Sequence, residues 1–88
     1  MTTLPPSKVK PHPESALEKI AYASVASIPT QEPNDQYRLG YSVWKYITER
    51  KGTLRNAVKA AGARVLIPEQ DVLRIIAENL KKSGISAE

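Results

Sequence analysis

The fold turns on residues 37–64, YRLGYSVWKYITERKGTLRNAVKAAGAR, and on what happens at Gly52-Thr53 inside it. Tyr37, Leu39, Gly40, Tyr41, Trp44 and Ile47, with Val43, recur at helical spacing, the mark of an amphipathic helix with one face toward a core. Glu49-Arg50-Lys51 is polar, Gly52 suits the left-handed residue that closes a helix, and Thr53 suits an N-cap. This pattern predicts two helices, 36–50 and 54–61. The phase nevertheless survives the break: Trp44, Ile47, Lys51, Leu54, Val58 and Ala61 keep a 3-4-3-4-3 spacing. One helix over 36–62 therefore remains open, with Gly52 costing about 1 kcal/mol relative to Ala.

The same stretch concentrates the charge. It holds seven basic residues (Arg38, Lys45, Arg50, Lys51, Arg55, Lys59, Arg64) against Glu49 alone, whereas residues 1–36 and 65–88 each carry three basic and four acidic groups. The formal net charge of +4 in 88 residues thus arises wholly in the middle. A basic protein of this kind suits polyanionic partners, although +4 by itself decides nothing.

Outward from that segment, residues 1–13, MTTLPPSKVKPHP, contain four of the seven prolines and little to bury. They read as a disordered leader, with residues 14–85 forming a single helical domain. His12, the only histidine, stands between prolines without a second ligand. Pro13-Glu14-Ser15 resembles a helix start, and Leu17, Ile20, Ala21 and Ser24 follow at helical spacing, which predicts a helix over 14–25. Residues 26–36, ASIPTQEPNDQ, read as a connecting loop ending in an N-cap at Asn34 or Asp35. After Gly62, the run Ala63–Ile67 suits a buried connection or one short strand, and Pro68-Glu69-Gln70-Asp71 opens a helix to Lys82. Val72, Leu73, Ile76 and Leu80 are its buried stripe, Ile75 flanks it, Gly84 stops it, and Ile85 packs back on its last turn. The fold class is all-α, a small bundle of three to four short helices, with a helix-turn-helix arrangement among the options.

The chain has no Cys, which removes disulfides, thiolate metal sites and Cys nucleophiles and suits a reducing, cytoplasmic setting. No run approaches the roughly 18 apolar residues of a membrane span. No paired His, Gly-rich phosphate loop or Ser with a partnered base is present, and a domain this small has little room for a deep cleft. The expectation is a non-enzyme without cofactor or metal.

Two binding surfaces are candidates. The first is Lys51, Arg55 and Lys59 at i, i+4, i+8, flanked by Arg50 and Arg64, with Asn56 placed to read a base edge; cations so arranged can each meet a phosphate. The ligand would be nucleic acid, duplex DNA before others, with 54–61 as the positioning helix of a helix-turn-helix whose turn is at Gly62. Pro68 disturbs that fit, because it falls near the point where the next helix should bury a β-branched residue. The second surface is the apolar helix 68–85, whose Val72, Ile75 and Ile76 would dock a protein partner or a second copy of the chain. Tyr37, Tyr41 and Trp44 at i, i+4, i+7 read as core, and Tyr46 as the aromatic that faces outward.

Residues 60–72, AAGARVLIPEQDV, resemble the junction in histone-fold proteins where a long central helix ends, a short basic loop crosses, and an I-x-P-E-D-V-like start opens the last helix. The resemblance spans about half the chain, departing at Gly52-Thr53 and by one residue inserted before Asp71. It implies that 37–61 is a central helix and 14–25 the first, with a dimeric handshake and DNA or transcription-factor partners.

Overall fold

A computed structural model of the protein describes residues 16–86 and contains four helices: α1 (Ala16–Val25), α2 (Pro33–Glu49), α3 (Leu54–Ala61) and α4 (Glu69–Lys82). The Pro-rich leader and the expected helix start at residues 13–15 lie outside the described residues. The all-α class holds; the extended pairing among the described residues is one isolated antiparallel bridge between Thr30 and Val65.

The chain turns at the Gly52-Thr53 region. α2 stops at Glu49, Arg50 takes a left-handed conformation (φ 52°, ψ 41°), and its N–H donates to the Tyr46 carbonyl at 2.7 Å. Gly52 then adopts φ 85°, and Thr53 caps α3 by accepting from the Asn56 N–H at 3.2 Å. Thr53 behaves as expected of an N-cap, but the closing left-handed residue is Arg50, two positions ahead of the glycine. Because the 36–62 segment is two helices, the single-helix reading falls, and with it the long central helix that the histone-fold resemblance requires. Among helix connections, the short one (residues 50–53) joins α2 to α3, whereas α3 and α4 are separated by residues 62–68. A turn of three to four residues is what a helix-turn-helix uses, so Gly62 is not such a turn and α3 is not the positioning helix of one built there.

α2 also begins earlier than expected. Pro33 occupies its first turn and Glu32, extended at φ −140° and ψ 155°, is the N-cap without a side-chain bond. Proline is pre-set for that position because its missing N–H would have no intrahelical partner. Neither Asn34 nor Asp35 is the cap: both lie inside the helix, and Asp35 is fully buried.

The core is almost wholly aliphatic. Ala21 and Val25 of α1, Ile28 of the first connection, Leu39, Val43, Tyr46 and Ile47 of α2, Leu54 of α3, and Val72, Ile76 and Leu80 of α4 form one buried cluster. α2 packs against α1 and α3, and α4 against α1 and, more lightly, α3. Each fully buried aliphatic side chain contributes about 1.5–3 kcal/mol relative to exposure. α1 ends without a glycine; instead the Gln36 amide reaches across from α2, within 3.0 Å of the Val25 carbonyl and 2.9 Å of that of Ile28. α4 ends in the expected way, with Gly84 at φ 82° and the Ile85 N–H donating to the Leu80 carbonyl at 2.9 Å while Gly84 donates to Lys81 at 2.9 Å. That paired closure is a Schellman motif, and it folds Ile85 back onto the core as expected. No helix among the described residues is long and apolar enough to cross a membrane.

Candidate functional site

The basic residues of 37–64 separate into two groups. Arg64 belongs to the fold. Its guanidinium lies 3.3 Å from the Glu32 carboxylate and 3.6 Å from Oδ2 of Asp35, while Arg38 holds Oδ1 of Asp35 at 3.2 Å. Asp35 Oδ2 has no hydrogen-bond partner among the described residues, so the Arg64 charge is what compensates it. A buried carboxylate needs such compensation, because desolvation disfavours it by several kcal/mol, in order of magnitude, when it stands alone. The Arg64 backbone is pinned as well: its carbonyl accepts from Gln31 N–H at 3.1 Å, and Leu66 N–H donates to Pro29 at 3.0 Å. Arg64 is thereby withdrawn from the proposed nucleic-acid surface.

The other cations surround the 50–53 turn. Arg55, Asn56 and Lys59 of α3 are all exposed. Lys51 precedes that helix, so it does not continue the row that the i, i+4, i+8 spacing suggested; only Arg55 and Lys59 share it. Arg55 pairs with Glu69 at 3.2 Å, both half exposed, and the Arg50 guanidinium stacks 5.4 Å from the Tyr46 ring centre. Lys51 and Lys59 form no ion pair among the described residues.

Between α2 and α3 runs an open cleft of about 300 Å³ lined by Ser42, Lys45, Glu49, Lys51, Asn56 and Ala60 among others. Its floor is tied by the Ser42 hydroxyl, which donates to the Ala57 carbonyl at 2.6 Å. Lys45, which the sequence did not single out, forms part of this wall and makes a loose 4.0 Å pair with Glu49. The signal for it was its place four residues after Tyr41 and four before Glu49, a polar continuation that marks an outward face.

Tyr37, Tyr41 and Tyr46 are arranged opposite to expectation, while Trp44 packs partly buried against the core. Tyr46 is buried, 4% exposed, whereas Tyr37 and Tyr41 are 56% and 45% exposed and Trp44 is half-buried. Tyr37 stacks on Tyr22 of α1 with ring centres 5.7 Å apart, and Tyr41 meets Trp44 at 5.6 Å. The Lys45 ammonium lies 5.9 Å from the centre of the Tyr41 ring. Tyr22 is seated on Gly40, where any Cβ would run into its ring. Burial, and then hydrogen bonding to Tyr37, holds the Tyr22 phenol well above its ordinary pKa, so it stays neutral through the physiological range.

The second expected surface is absorbed by the fold. Val72 and Ile76 are fully buried within the protein's own core, and Ile75 is half-buried and packed against it. α4 packs against α1 and, more lightly, α3, so Val72 and Ile76 serve to close the bundle. Comparison with protein-family models, with curated proteins and with solved structures returns no match to this chain.

Proposed function

We propose that this protein binds nucleic acid, with DNA the first ligand to test, through the surface formed by the end of α2, the 50–53 turn and the outer side of α3. The observation that supports this reading is the run of exposed cations Lys45, Arg50, Lys51, Arg55 and Lys59 along these elements, with Lys45 and Lys51 lining one cleft and Lys51 and Lys59 free of ion pairs among the described residues. The acids paired with cations of this group, Glu49 and Glu69, sit in exposed ion pairs. Such pairs are worth about 0–1 kcal/mol, so a phosphate can displace either carboxylate at small cost. Asn56 lines the α2–α3 cleft beside Lys51 and adds a hydrogen-bonding amide. No catalytic step is assigned to this surface.

Titrating a labelled oligonucleotide over a range of salt concentrations tests the reading. Four phosphate contacts on duplex DNA give a slope of log K against log salt of about −3 to −4. The Lys51→Glu/Lys59→Glu double variant should lose at least about tenfold in affinity and flatten that slope, with its far-UV circular dichroism unchanged. Undiminished binding by the folded double variant removes this surface as the site.

A further inference from the structure

The exposed aromatic strip on α2 leads into the cation-lined cleft, and that continuity bears on which form of nucleic acid would bind. We propose that the ligand is a single strand, whose bases lie on Tyr37 and Tyr41, next to Trp44, and whose phosphates meet Lys45 and Lys51. This rests on the nucleic-acid reading above and specifies its ligand.

Three observations carry it. First, four of the five aromatic residues, Tyr22, Tyr37, Tyr41 and Trp44, stand outside the buried cluster, and the two most exposed are on successive turns of α2. One helical turn separates them by about 6 Å along the axis, so each ring is available as a separate platform. Second, the strip is braced. Tyr37 is backed by Tyr22, which is itself seated on Gly40. A ring held in place before the ligand arrives loses little rotamer freedom on binding.

Third, Lys45 joins the two surfaces: its ammonium lies over the Tyr41 ring and its side chain lines the cleft that contains Lys51. A chain stacked on Tyr41 therefore has cations beside it in the direction of the turn. Alternating apolar faces and a positive track are the requirements of an unpaired polynucleotide, since every base has a π-face and every linkage a charge. In a duplex the base faces are already occupied by neighbouring pairs, and only edges and phosphates are offered to a protein. Exposed tyrosines find nothing to stack on there. A protein partner would use the rings but would not need the cleft's lysines, so the charge favours the polynucleotide.

Trp44 is the only tryptophan, and its contact with Tyr41 makes it a reporter at the strip. The 88-residue chain would be titrated with an oligothymidine of about sixteen nucleotides, the upper end of footprints for small single-strand binding folds, and with a duplex of equal length. The expected results are quenching of Trp44 fluorescence by the single strand and at least about tenfold tighter binding to it than to the duplex. Tyr37→Ala/Tyr41→Ala should remove the preference and the quenching, weakening single-strand binding about tenfold or more, while leaving the salt slope unchanged. If that variant loses helicity, Tyr41→Ala alone carries the comparison, because Tyr41 is not the ring stacked on Tyr22. Equal affinity for both polymers without quenching overturns the stacking proposal and leaves the basic surface standing. Failure to bind either polymer overturns both. Self-association of the wild type that the tyrosine variant abolishes assigns the strip to a second copy and likewise overturns it.

Discussion

The two ends of α2 use their polar residues in opposite ways. At the N-terminal end Asp35 is committed to Arg38 and Arg64, and Gln36 to the carbonyls that end α1, while Gly40 seats the Tyr22 ring. At the C-terminal end Lys45, Glu49 and Lys51 are exposed around an open cleft. A cation count treats Arg64 and Lys51 as equals, yet one neutralises a buried carboxylate and the other faces water. The distinction lies in whether the opposing acid is buried, which makes the ion pair structurally necessary, or exposed, which makes it weak.

Substitutions at the two ends should therefore act on different observables. The largest effect is expected at Asp35. Asp35→Ala removes both ion pairs and leaves a void, lowering unfolding free energy by about 2–3 kcal/mol in chemical denaturation. Arg64→Ala, which strands Asp35 Oδ2 while Arg38 still holds the other oxygen, should cost about 1–2 kcal/mol, discounted because Arg64 is itself half exposed. Neither should alter nucleic-acid affinity when measured well below the melting transition.

Gly40→Ala comes next. In an ordinary helix interior this change gains about 1 kcal/mol, but here the added methyl group enters the space of the Tyr22 ring. The expectation is a net loss of about 1–2 kcal/mol, with a changed near-ultraviolet spectrum as the Tyr22–Tyr37 pair separates. A gain in stability would show that the α1–α2 contact yields more readily than its geometry implies. The smallest effect belongs to the other end. Arg50→Gly relieves a left-handed non-glycine residue and forfeits the stacking on Tyr46, two changes of about 1 kcal/mol each and opposite sign. Its melting temperature should stay within a few degrees of the wild type while oligonucleotide affinity drops. A large stability loss would place Arg50 with Arg64 among the structural cations and erase the contrast.

The sequence carried the second half of the fold better than the first. The bounds of α3, its Thr53 cap and the Gly84-Ile85 closure of α4 were legible because each depends on a local signal: an N-cap hydroxyl, a left-handed glycine, a C-terminal apolar contact. The face of α2 was not. Tyr37, Tyr41 and Trp44 repeat at i, i+4, i+7, and so do Leu39, Val43 and Tyr46. The two stripes are about 160–200° apart on the helix, so periodicity identifies both and ranks neither. Aromatic bulk pointed toward the first; the structure buries the second. The discriminating signal was small size: Gly40 and Ser42 are buried beside the second stripe, where α1 and α3 approach closely. Asp35 was illegible for another reason. A buried acid looks like a cap until its partner, Arg64, is brought beside it from the far side of two helices.

The meeting of the two long connections sets the topology of the chain. The Thr30–Val65 bridge, flanked by the Gln31–Arg64 and Leu66–Pro29 hydrogen bonds, closes α2 and α3 into a loop of roughly 35 residues, for which closure entropy grows only slowly with length. The molecule thus has a neck and a tip. The neck is where α1 enters, α4 leaves and Arg64 meets Asp35. The tip is the 50–53 turn, near the middle of that loop in sequence. A residue inserted at the tip lengthens a hairpin, whereas one inserted at the neck shifts the register on which the whole bundle closes. The lysine-bearing end of the protein is consequently the part that can change sequence and length while the fold stays as it is.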